Sequence, residues 1–119
     1  MHYMNQTTLS NLRQFLSEEK LFLLLTRYIE DTSNIIQQLQ VALNSSLQAE
    51  AQRLCHSLKS TSANVGALPL SELARQLEAL AREGQLDEMK TMVPELGSCF
   101  AQTQLTIEDM EFMRQRQTG

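Results

Sequence analysis

The sequence predicts an all-α protein, an antiparallel four-helix bundle with a short additional N-terminal helix. Three observations lead there. Apolar residues recur every three and four positions along nearly the whole chain, the spacing that gathers them on one face of a helix. Turn formers are scarce, with four glycines and two prolines in 119 residues, which disfavours a sheet and its many tight turns. Polar or Gly/Pro breaks cut the pattern into amphipathic segments with short connections. Such segments bury their stripes most economically against one another.

Each element has its own signal. Leu9, Leu12, Phe15 and Leu16 mark a short lead helix over about 7–16, read as a lid on the bundle. Ser17 is a plausible N-cap for a long helix over about 18–44, with Glu18 and Glu19 at the positive end of its dipole. Its stripe runs through Leu21, Leu25, Tyr28, Thr32, Ile35, Leu39 and Ala42, widened by Phe22, Ile29, Ile36 and Leu43. Asn44, Ser45 and Ser46 break that helix and offer N-caps for the next, over about 47–65, which stops at Gly66, a natural left-handed terminator. Pro69 suits the first turn of a helix over about 69–83, whose face is Leu70, Leu73, Ala74, Leu77, Leu80 and Ala81, before Gly84 ends it. The last segment, about 87–113, puts Met89, Val93, Leu96, Phe100, Thr103, Ile107 and Met110 on one side, with Pro94 kinking it or falling in its early turns. Residues 114–119 are expected to fray.

Composition bounds the function. A chain of 119 residues is one domain's worth, too short for separate catalytic and nucleotide-binding domains. A net charge of -4 and a pI near 5.1 argue against a nucleic-acid partner, because phosphate backbones are bound by strongly basic faces. Cys55 and Cys99 lack metal-ligand spacing and read as reduced thiols of an intracellular protein. The N-terminus lacks the blocks of a signal peptide, and the longest apolar run, Leu21 to Leu25, is far too short to span a bilayer. A cytoplasmic, non-membrane protein is expected.

The most informative stretch is HSLKSTSANVG, His56 to Gly66. With Leu47 at the centre of the core arc, Ala51, Leu54, Leu58, Thr61, Ser62 and Val65 fall on the core side. His56 falls opposite and faces solvent. Around it lie Gln52 one turn before, Lys59 and Ser60 one turn after, and the small Ala49 and Ala63 two turns away. Arg53 and Lys59 are the only charged residues from Ala51 to Ser71, so the histidine sits in a locally positive patch. Small neighbours leave the ring open to a partner. Neutral imidazole is a nucleophile near pH 7 and can carry a covalent group. A phosphoryl group there would add up to about two negative charges, which Lys59 is within reach to offset. Metal binding would need more ligands than His56 and the distant His2. Cys55 diverges from its neighbour by about 100° and forms no dyad with it.

The residues from Ala51 to Glu88 closely resemble the histidine-containing phosphotransfer (HPt) domains of bacterial multistep phosphorelays. The family signature reads roughly H-x-L-K-G/S-x-S/A-x-x-L/V-G-A, and His56, Leu58, Lys59, Ser60, Ser62, Val65, Gly66 and Ala67 occupy its positions in order. Ser60 stands where glycine is most usual, and is still small. The resemblance implies a monomeric four-helix bundle that accepts a phosphoryl group on His56 from a receiver-domain aspartate and passes it to another receiver aspartate. It implies Lys59 as charge partner of the phosphoryl group, Gln52 as a polar contact, and Ala49, Arg53, Ser60 and Ala63 as the face met by partners. Those partners are response-regulator receiver domains and a hybrid sensor histidine kinase. No kinase activity or cofactor of the chain's own is implied, Mg²⁺ being expected on the receiver.

Two rivals are weaker. The dimerisation and histidine-phosphorylation domain of a sensor kinase would need Glu or Asp after the histidine and a nearby Pro, and Ser57 follows here. A purely structural helical adaptor, with an inert histidine, has no motif in its favour. The single-domain length favours a stand-alone protein over a module cut from a hybrid kinase.

Overall fold

The computed structural model describes residues 3–118. His2 and Gly119 lie outside them. Six helices make up the described chain: α1 (Gln6–Phe15), α2 (Glu18–Asn44), α3 (Gln48–Val65), α4 (Leu68–Arg82), α5 (Leu86–Glu108) and α6 (Glu111–Thr118). At 1.5 Å rise per residue α2 runs for about 40 Å, close to the 44 Å long axis of the molecule. The four long helices form the bundle: α3 packs most closely on α4, α2 flanks α3, and α5 closes the ring between α4 and α2. The short α1 lies across α3 and α2, and α6 folds back on α2 and α5.

All three bundle turns use the same backbone device. Leu47 N–H donates to Ala42, Ala67 N–H to Ser62 and Gln85 N–H to Leu80, each paired with a bond from the preceding residue to the carbonyl three positions before it. This is the Schellman turn, which needs a left-handed residue just past the helix. Gly66 (φ 89°) and Gly84 (φ 74°) fill that place in two turns, and Ser46 (φ 56°) fills it in the first, at a cost of about 1 kcal/mol for a side-chain-bearing residue. Gly66 is constrained twice. A Cβ there would meet Thr8 Cβ at 2.9 Å, and its carbonyl accepts a 2.7 Å bond from Asn5 N–H. The lead segment is thus tied to the end of α3.

Most of the predicted stripes are the observed core. Leu21, Leu25, Tyr28, Thr32, Leu39, Leu54, Leu58, Leu70, Leu77, Met89, Leu96 and Ile107 are buried. Ser17 caps α2 by accepting from Lys20 N–H.

Several features differ from what the sequence predicts. Leu47 and Thr61 are exposed rather than core, and Cys55 takes the buried place instead. Phe15 is 83% exposed, because α1 buries mainly Leu9. No side chain of the Asn44–Ser46 turn caps α3, whose N-cap is Leu47; Ser46 is spent on the left-handed turn. The last helix ends at Glu108, and after a break at Asp109–Met110 the chain stays helical to Thr118. Phe112 and Met113 are buried, and Arg13 stacks 5.2 Å from the Phe112 ring, so packing anchors the start of α6, and residues 114–118 extend it as helix instead of fraying. Pro94 lies well inside α5, on an exposed face.

Candidate functional site

Four core residues of α3, Ala51, Leu54, Leu58 and Val65, hold its inner face and fix which way the opposite face points. His56 emerges there with its side chain 62% exposed. Gln52 is half-buried one turn before it, while Ala49, Arg53, Ser60 and Ala63 are all exposed. The structure therefore brings every predicted site residue onto the solvent side of one helix.

The electrostatics differ from those expected. Glu78 of α4, buried with 6% of its side chain exposed, reaches across to α3. Its Oε2 lies 2.7 Å from His56 Nδ1 and its Oε1 accepts a 2.8 Å bond from Lys59 Nζ. Arg53 is likewise paired, with Glu50 on its own helix, Nε donating to Oε2 at 3.2 Å. The patch that reads as positive along α3 is charge-compensated by two carboxylates, one of them from another helix. Glu78 also supplies a polar contact to the ring.

Glu78 owes its burial to α4 packing. Ala74, Leu77 and Ala81 carry the buried arc of α4, and Glu78, one turn after Ala74, stands at the edge of that arc. Lys59 stands at the matching edge of α3, which is why the two meet. A carboxylate so placed would be costly without partners, and it has them. The Lys59 hydrogen bond holds the Glu78 carboxyl below the ordinary carboxylate range, with His56 adding to this and burial opposing it. Lys59 is itself anchored, since Ser71 Oγ donates to its carbonyl at 2.8 Å.

An ionised carboxylate can only accept a hydrogen bond. Facing Glu78, Nδ1 of a neutral His56 ring must therefore carry the proton, and Nε2 keeps its lone pair. The arrangement makes one ring nitrogen nucleophilic and fixes the other as a donor. Sequence reasoning missed Glu78. Its one local signal is an acidic residue at the margin of the α4 apolar stripe, and the partner that gives it meaning lies 22 residues away.

The neighbouring thiol takes no part. Burial pushes Cys55 up to about 12, with the Glu78 charge adding to it, so it remains protonated and unreactive. Cys99 is raised too, chiefly by burial. Both cysteines are free. Among the described residues no helix is long and apolar enough to cross a membrane.

Comparison with known proteins bears on this geometry. The crystal structure of histidine-containing phosphotransfer protein B from Pseudomonas aeruginosa PAO1 has the same fold, with a TM-score of 0.86 and 24% identity over 98% of this chain and 96% of that one. No match was found among curated proteins. The family model described as Hpt domain matches residues 23–110, a span that includes α3, α4 and the whole His56–Lys59–Glu78 group. The chain therefore belongs to the Hpt domain family, with the histidine phosphotransfer role in phosphorelays that defines it.

Proposed function

We propose that His56 is the phosphoryl carrier, loaded by the aspartyl phosphate of one receiver domain and discharged to the aspartate of another. The observation that carries this reading is the 2.7 Å contact of His56 Nδ1 with Glu78 on an otherwise exposed ring. In the loading step the Nε2 lone pair forms the N–P bond. The O–P bond of the aspartyl phosphate breaks, and its electron pair stays on the departing carboxylate. The ring becomes a phosphoimidazolium whose Nδ1 proton is held by Glu78. In the discharging step a receiver carboxylate attacks phosphorus, and the N–P electron pair returns to Nε2. No proton enters or leaves in either direction. A carrier that works both ways needs that symmetry, and the buried carboxylate provides it.

Lys59 is the charge partner of the phosphoryl group, released from Glu78 by rotation of its side chain. Ala49, Ser60 and Ala63 keep the approach to the ring low, and Arg53 and Gln52 border it. Phosphoryl transfer is mostly positioning and charge stabilisation, and here the receiver would bring Mg²⁺ and the remainder of the transfer site. The chain then acts as a monomeric carrier with no kinase activity of its own, fed by a hybrid sensor kinase in the cytoplasm.

The test is phosphotransfer to the purified protein from a phosphorylated receiver domain. An acid-labile, base-stable label that vanishes in His56→Gln is expected. A label that persists in that variant moves the site elsewhere, and no label at all leaves an adaptor.

A further inference from the structure

A further cation stands beside Glu78. Arg82, one turn after Glu78 on α4, places a guanidinium nitrogen 3.9 Å from Glu78 Oε1. That is the same oxygen to which Lys59 donates at 2.8 Å. One carboxylate oxygen thus has a cation bonded to it and a second just outside hydrogen-bond range.

We propose that Arg82 is a positioning residue that takes over Glu78 Oε1 when Lys59 turns to the phosphoryl group. The inference rests on His56 being the phosphoryl acceptor, and its reason is charge. At rest Glu78 is satisfied by Lys59 and the ring. A phosphoryl group brings up to about two further negative charges, and the single charge of Lys59 cannot neutralise both anions. If Lys59 leaves, Oε1 of a carboxylate whose side chain is only 6% exposed loses its donor, a costly state for a buried charge. Arg82 needs to move about 1 Å to close a hydrogen bond of ordinary length.

Its setting allows the move. The Arg82 side chain is 61% exposed and free to reorient. Its backbone is fixed, because Gln48 Nε2 from α3 donates to Ala81 O at 2.8 Å and lies 3.5 Å from Arg82 O. The root is tied to α3 while the head swings. With Glu78 kept in place, the Nδ1 proton stays where the discharging step requires it. Arg82 acts through Glu78, without touching the reacting atoms.

The full chain, loaded chemically with phosphoramidate, tests this by NMR and by phosphohistidine half-life. Rotation of the Arg82 guanidinium is expected to slow on phosphorylation, and to be slow already in unphosphorylated Lys59→Ala. Arg82→Ala should shorten the half-life about two- to fivefold, the range an exposed ion pair supports. The same variant should leave the His56 Nδ1–H signal and the thermal midpoint of the unphosphorylated protein unchanged. Arg82→Lys should restore the half-life. Guanidinium rotation that is the same before and after loading overturns the exchange, as does a parental half-life in Arg82→Ala or an equal disturbance of both forms. Absence of label in the parent, or its persistence in His56→Gln, overturns the acceptor assignment itself, before any Arg82 variant is compared.

Discussion

Helix α3 is fastened on its two flanks by polar links of opposite kinds. Towards α2, Tyr28 Oη and Ser62 Oγ share a 2.7 Å hydrogen bond with both residues buried. Towards α4, the buried Glu78 meets Lys59 and His56 at the edge of solvent. The first link is neutral and enclosed, among the buried hydroxyls of Tyr28, Ser62 and Thr32. The second is ionic and half open, with more donors nearby than the carboxylate uses. A dry neutral bond holds position, whereas an ionic group at a wet margin can exchange partners at little cost.

The largest break in that comparison should come from the core between the two links. Leu58→Ala, at a fully buried position, is expected to lose about 2–5 kcal/mol in denaturant unfolding, loosening both flanks together. Tyr28→Phe comes next, at about 1–3 kcal/mol, because it leaves Ser62 without its buried partner. It should leave labelling of His56 intact, and a loss of labelling equal to that of a site variant would erase the distinction between the flanks.

Acid and alkali should separate the two links. Burial pushes Tyr28 up to about 12, with Ser62 and Thr32 lowering it in part. The folded state then binds the proton more tightly than the unfolded chain, so this contribution is present at neutral pH and is lost as pH rises from 10 through about 12. Glu78 is depressed, mainly by Lys59, so its contribution is present above the ordinary carboxylate range and is lost as pH falls below it. Unfolding curves of Tyr28→Phe should converge on the parent in alkali, and those of Glu78→Gln in acid. Convergence of both variants at the same end would contradict the contrast.

The smallest effects on stability belong to the exposed side. His56→Gln should change unfolding by no more than about 0.5 kcal/mol, because the ring is exposed and the Gln amide can still donate to Glu78, while abolishing labelling. Glu78→Gln lets the ring take the wrong tautomer, and the phosphotransfer rate should fall by about tenfold or more. An unaltered rate would remove Glu78 from the mechanism.

Period alone makes the helices legible, because any chain that places apolar groups every three or four residues can hide them only on one helical face. It also places His56 outward, since a residue about 160° from Leu58 on the wheel has no route to the core. Period does not settle the margins. Cys55 and Thr61 lie about 60° to either side of Leu58 and look equivalent in sequence, and only the close approach of α4 decides that Cys55 is covered while Thr61 stays exposed. The same approach decides the site. HSLKSTSANVG by itself determined an exposed imidazole with a lysine one turn on. The antiparallel packing of α3 against α4 brought in Glu78, and with it Arg82 four positions on, because charge pairing between residues about 20 positions apart depends on which helices are neighbours and in what register, and one segment's pattern does not contain that.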